Sequence, residues 1–170
     1  MEEDIVHTIF KLDVIEGKSN VNLDELSNLL LDNYDRKGSL NPADSRYEDS
    51  YCPSSPLVDQ VAEEVKESFK KYSGLHIDTA AYWGHIHEQN MSTNSHDHLD
   101  ADVSSVLYVS VPEGSGNIVF YPTNKATDHY YWFPPEKRKI LIFPSWLPHS
   151  VTRHTGDKPR VSLSLNFRES

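Results

Sequence analysis

Val65-Lys66-Glu67-Ser68-Phe69-Lys70-Lys71-Tyr72-Ser73-Gly74-Leu75-His76-Ile77-Asp78 is the stretch on which the fold turns. Up to Gly74 the apolar residues Val58, Val61, Val65 and Phe69 recur at three and four, one face of a helix. Pro56 suits the first turn of that helix and Gly74 its left-handed cap, so a helix over Val58 to Tyr72 is expected between them. Beyond Gly74 the period becomes two. It stays so through segments near 76–88, 103–111, 117–122, 139–144, 149–153 and 160–167, parted by Gly, Pro, Asn and Asp clusters. Toward the N-terminus, Leu23, Leu26, Leu29 and Leu30 mark another one-faced helix, capped by Asn20 or Asn22 and ending near Tyr34 to Gly38. Alternation over Ile5 to Leu12 predicts a strand, with Glu16 to Asn20 a loop after it. Lys37 to Pro56 reads as a polar loop.

The expected fold is therefore mainly β within an α+β chain: a barrel or jelly roll with two N-terminal helices packed outside. A single domain over residues 1–170 is expected, with strand, helices and polar loop in 1–74 and the β core in 75–170. Twenty-six acidic against sixteen basic residues give a net charge of −10, which opposes general binding to phosphate backbones. The apolar runs Val103 to Val111 and Ile140 to Phe143 are too short to cross a bilayer, so no membrane association is expected. Cys52 is the only cysteine, and Met1-Glu2-Glu3-Asp4 is unlike the basic start of a secretory leader; a cytoplasmic location is expected.

All histidines but His7 lie after Gly74, densest in Asn94-Ser95-His96-Asp97-His98-Leu99-Asp100. In extended chain, positions two apart share a side, so His96 with His98, or His98 with Asp100, can face one point. His149, in Phe143-Pro144-Ser145-Trp146-Leu147-Pro148-His149-Ser150-Val151, is the best-placed distant third ligand. Two near ligands and one far one leave half of an octahedral ion open, as in non-haem Fe(II) oxygenases. Eleven residues on, Arg160 and Ser162 share a strand face and offer a charged planar fork and a hydroxyl for a carboxylate. A metal with open positions beside such an arginine points to 2-oxoglutarate, its keto acid end on the iron and its far carboxylate on Arg160. His85-Ile86-His87 repeats the His-x-His pattern one strand earlier and is read as hydrogen-bonding groups or pocket lining. His7, His76, His129 and His154 are read as surface or structural, and Trp83, Trp132 and Trp146 as core or cavity wall.

These stretches resemble the small 2-oxoglutarate/Fe(II) oxygenases of bacteria and phages, within the prolyl-hydroxylase-like superfamily. The resemblance runs over about residues 80–167 and is carried by Ala81-Tyr82-Trp83, His96-Asp97-His98, Ser104 to Tyr108, Ser115 to Phe120, Phe143 to Val151 and Arg160 to Asn166. Ser105 stands where the family pattern has Gly, and Leu107 where it has a tyrosine. The resemblance implies a double-stranded β-helix. It implies Fe(II) on His96, His98 and His149, with 2-oxoglutarate on Arg160 and Ser162; Tyr108, on the strand after the near ligands, is read either as a hydroxyl donor to the co-substrate or as a packing residue. His98 is preferred to its rival Asp100 because it stands six residues before Ser104, the spacing the resemblance leads one to expect. The implied activity is hydroxylation of an unactivated C–H bond, on a peptidyl residue such as proline or on a small metabolite, with O2 consumed and succinate and CO2 released. The location would be the host cytoplasm if the protein is phage-encoded. The alternatives are a non-catalytic cupin-like barrel that binds metal or ligand, and a three-histidine dioxygenase that works without 2-oxoglutarate. The segments 37–56 and 123–135 are the candidate lids.

Overall fold

The computed structural model describes residues 11–34, 49–50, 52–122 and 130–170. Helix α1 (Leu23–Asp32) starts where the Asn22 side chain accepts from the backbone N–H groups of Asp24 and Glu25, and it stops at Asn33. It ends short of the expected Tyr34, with no basic residue in its last turn to prolong it. Helix α2 (Pro56–Ser73) is capped by the Ser55 hydroxyl, which accepts from Leu57 N–H, and closed by Gly74 at φ 77°, whose N–H donates to Lys70 O. A side chain at that left-handed position would be strained, which is why glycine ends this helix.

The strands are β1 (Ile15–Lys18), β2 (Asp49–Ser50), β3 (Ile77–His87), β4 (Thr93–His96), β5 (Val103–Ser110), β6 (Ile118–Phe120), β7 (Tyr131–Phe133), β8 (Lys139–Pro144), β9 (His149–Val151) and β10 (Arg160–Glu169). They form a six-stranded sheet in the order β1-β8-β5-β10-β3-β2 and a four-stranded sheet in the order β4-β9-β6-β7, with every pair antiparallel. Two antiparallel sheets with two helices are the jelly-roll class expected from the alternation.

Parity divides the large sheet into two chemistries. Val161, Leu163, Leu165 and Phe167 of β10 join Val58, Val61 and Val65 of α2 and Leu26 and Leu30 of α1 in one buried cluster. Each such side chain contributes about 1.5–3 kcal/mol when fully withdrawn from water. The intervening Arg160, Ser162, Ser164 and Asn166 face the other way, into the cavity between the sheets. A smaller apolar cluster, with Tyr108, Phe120, Leu141, Phe143 and Leu147, closes the rest of that interior.

Several expectations need correction. The strand expected over 5–12 falls outside the described residues up to residue 10, and Lys11 and Leu12 are not in a strand. The supposed loop at Glu16 to Lys18 is instead β1, because the edge of β8 offers it a ladder that local composition does not reveal. Part of the polar loop is likewise strand: β2 pairs with β3 at the sheet edge, while 35–48 and 51 lie outside the described residues, as do 123–129 of the other candidate lid. Trp132 and Trp146, expected inside, are 56% and 38% exposed, Trp132 because β7 is an edge strand. Among the described residues no helix is long and apolar enough to cross a membrane.

Candidate metal centre and co-substrate pocket

His96 and His149 are direct partners across the β4–β9 ladder, so strand pairing brings together residues far apart in the chain. His98 lies just past the end of β4, where its backbone N–H donates to Ser145 O at 2.9 Å. One ligand atom from each of the three imidazoles falls within 4.8 Å of the others. The rings are held from behind. Nδ1 of His96 meets Asn94 O at 2.8 Å and Nδ1 of His149 meets Leu147 O at 2.9 Å, so each carries its proton there and leaves Nε2 as the lone-pair donor. The His98 ring packs against Trp83, with centroids 5.4 Å apart. Burial pushes His149 down to about 3 and His98 to about 4, the latter aided by His96. Neutral imidazoles converging on one point suit a divalent first-row metal.

Asp100 stands outside this cluster. It is exposed, and its backbone carbonyl accepts from Arg168 Nε at 3.2 Å. The chain turns at Leu99-Asp100, which ends the two-residue periodicity that made His98-x-Asp100 a rival pair.

A cavity of about 90 Å3 joins the three histidines to Arg160, Ser162 and His85. Arg160 is 1% exposed, and its guanidinium lies over the Tyr108 ring at 5.2 Å. Its Nη1 approaches Ser162 Oγ at 3.4 Å and His87 Nδ1 at 3.1 Å. Tyr108 sits behind Arg160 rather than on the cavity wall. Its hydroxyl is buried beside the Arg160 guanidinium, and burial, opposed by that charge, pushes it up to about 12, so it stays protonated. A buried cation with hydroxyls around it is a chemical match for a carboxylate.

Other residues support the site without having stood out in the sequence. Ser145 Oγ, Ser104 Oγ and Asn166 Oδ1 form a buried chain at 2.8 Å per link, tying the turn after β8 to β5 and β10. The same turn carries the carbonyl that holds His98. Ser104 and Asn166 were visible only as spacing markers; the signal available was that both are polar at inward positions of apolar strands. Gly116 is needed because a Cβ there would lie 1.9 Å from Thr152 O, where the loop entering β6 meets the end of β9. His154 is structural as expected: fully buried, its ring nitrogens meet Gly114 O and Lys158 O at 3.1 and 2.7 Å. His76 is exposed, and His7 and His129 lie outside the described residues.

Residues 81–166 match the sequence family described as "Putative 2OG-Fe(II) oxygenase", just over half of the chain. The chain belongs to this family. Its metal is Fe(II), and 2-oxoglutarate and O2 are its co-substrates. No curated protein matches the sequence. Solved structures share the fold of this oxygenase. A prolyl-4-hydroxylase of Pseudomonas putida has a TM-score of 0.62 at 19% identity, over 91% of this chain and 92% of that one. The epimerase SnoN from nogalamycin biosynthesis, in complex with Fe3+, alpha ketoglutarate and nogalamycin RO, has a TM-score of 0.70 at 12% identity, over 91% and 78%. A 2OG-Fe(II) oxygenase family oxidoreductase from Burkholderia pseudomallei has a TM-score of 0.58 at 14% identity over 71% of this chain, which spans 62% of its length.

Proposed function

We propose that this oxygenase is a hydroxylase that holds Fe(II) on His96, His98 and His149 and the distal carboxylate of 2-oxoglutarate on Arg160 and Ser162, with Tyr108 packed behind the guanidinium instead of touching the co-substrate as the sequence suggested. The observation that carries the reading is the single cavity into which three imidazoles and one buried arginine converge. Fe(II) with 2-oxoglutarate and O2 supplies the oxidising chemistry, coupled to release of succinate and CO2. The protein's own part is binding and orientation. The carbonyls of Asn94 and Leu147 hold the protons of His96 and His149 away from the metal side, so both rings stay ligands at neutral pH. Arg160 provides guanidinium N–H donors for the carboxylate and Ser162 a hydroxyl beside them, while the Tyr108 ring backs the guanidinium. Phe143 and Phe120, packed against His149 and each other, keep water from that side.

The substrate is a peptidyl residue, proline among them, or a small metabolite; similar folds in a prolyl-4-hydroxylase and in SnoN support both classes. The test is anaerobic reconstitution with Fe(II) and 2-oxoglutarate. A weak visible charge-transfer band, lost in Arg160→Ala, is expected, followed by oxygen-dependent succinate release when peptides and metabolites are screened. Iron bound without the band would refute the co-substrate assignment.

A further inference from the structure

His85 and His87 lie on β3 directly opposite Ser162 and Arg160 of β10. His87 and Arg160 are 0% and 1% exposed, and the two imidazoles stack 4.6 Å apart at 13°. The direction of the hydrogen bonds follows from Arg160. A guanidinium can only donate, so at 3.1 Å from Arg160 Nη1 the His87 Nδ1 carries the lone pair. The ring's proton is then on Nε2, which donates to Thr93 Oγ1 at 2.8 Å. Thr93 in turn directs its own hydroxyl proton to His85 Nε2 at 3.1 Å. The result is a one-way chain, Arg160 to His87 to Thr93 to His85, crossing from β10 through β3 to β4 and back to β3. Burial, and after it the charge of Arg160, holds His85 at about 3, so the last ring is a neutral acceptor as the chain requires. An imidazole also orients the guanidinium without adding a negative charge through that contact, and so leaves its attraction for an anion intact.

We propose that His87, locked by Thr93 and His85, is a positioning residue that aims the Arg160 guanidinium at the distal carboxylate of 2-oxoglutarate. This rests on the reading of Arg160 as the carboxylate partner. It makes His87 a determinant of selectivity between keto acids that have a second carboxylate and those that lack one, since only the former touch Arg160.

The experiment is calorimetric titration of the Fe(II)-loaded protein, under anaerobic conditions, with 2-oxoglutarate and separately with pyruvate, which has the chelating end alone. His87→Leu is expected to weaken 2-oxoglutarate about tenfold, the scale of one hydrogen bond to a charged group, and to leave pyruvate unchanged. His87→Asn, whose amide oxygen replaces Nδ1 as acceptor, is expected to stay within about threefold of the parent. Thr93→Val keeps the imidazole but frees it, and is expected to weaken 2-oxoglutarate selectively by an intermediate factor; it carries the test should His87→Leu not fold. Unchanged 2-oxoglutarate affinity in these variants, with Arg160→Ala weakened, would overturn the positioning role alone. Equal losses for 2-oxoglutarate and pyruvate would overturn it too, as general damage to the pocket. An Arg160→Ala protein that binds 2-oxoglutarate as tightly as the parent would remove the reading on which the proposal stands.

Discussion

Two adjacent serines on β5, Ser104 and Ser105, are 2% and 3% exposed and should respond to alanine in opposite directions. Ser104 Oγ donates to Asn166 Oδ1 and meets Ser145 Oγ, both at 2.8 Å. Ser104→Ala therefore leaves a buried acceptor and a buried donor without their partner. Each such loss costs about 1–3 kcal/mol, and rotation of the Ser145 hydroxyl recovers part of one, so about 2–4 kcal/mol is expected in total. At roughly 2–4 °C per kcal/mol for a chain of this size, the melting temperature should fall by roughly 5–15 °C. Ser105 Oγ, in contrast, is buried and finds no partner among the described residues. Ser105→Ala removes an uncompensated polar atom and should be neutral or stabilising, by up to about 1 kcal/mol. Equilibrium unfolding in urea with scanning calorimetry measures both. Fe(II) titration should also show weaker binding in Ser104→Ala and not in Ser105→Ala, because the Ser145 carbonyl carries the His98 N–H. If both variants lose the same stability to within about 1 kcal/mol, or Ser105→Ala is the worse, the hydrogen-bond reasoning is refuted.

Three further outcomes follow from the same geometry. His149→Ala should abolish Fe(II) binding in a dialysis assay whereas Asp100→Ala changes it little, since Asp100 is exposed and outside the cluster; a severe Asp100→Ala would restore the His98-x-Asp100 pair. Gly116→Ala puts a Cβ 1.9 Å from Thr152 O, so β6 and β9 must part, at a cost of about 2–4 kcal/mol in urea unfolding together with weaker metal binding through His149. For acid stability the sign is set by His85 and His149, which burial holds at about 3 in the folded chain. Below the unfolded value of about 6.5 the unfolded chain takes up protons that the folded one refuses, so stability falls with pH and levels off near the folded values. The metal-free protein should lose about 1 kcal/mol per histidine per pH unit below that point, read from urea midpoints, and a flat profile between pH 7 and 4 would contradict it.

Short-range physics made much of this chain legible. Pro56 and Gly74 delimit α2, Asn22 caps α1, and alternation marks the central strands, with β8 at the expected 139–144. The two-residue period also grouped Arg160 with Ser162 by side, because neighbouring side chains on a strand point to opposite faces; His98, past the end of β4, joins His96 through the Ser145 carbonyl instead. β1 and β2 escaped the reading because they are short, polar, and stabilised by the partner strand rather than by their own pattern. The sequence also held the metal candidates, but with Asp100 as a rival to His98, since both satisfy the same spacing.

Tertiary structure sets these two residues apart. The turn at Leu99-Asp100 takes the carboxylate into solvent, while Ser145, from a strand connection more than forty residues on, holds His98 toward His96 and His149. The same holds for His85 and His87, which by spacing alone are two spare imidazoles, and which the β3–β10 register sets against Ser162 and Arg160. Periodicity is local and says which side of its own strand a residue occupies. Which faces meet is decided by pairings between strands tens of residues apart, whose energies come from burying both faces together and cannot be read from either one.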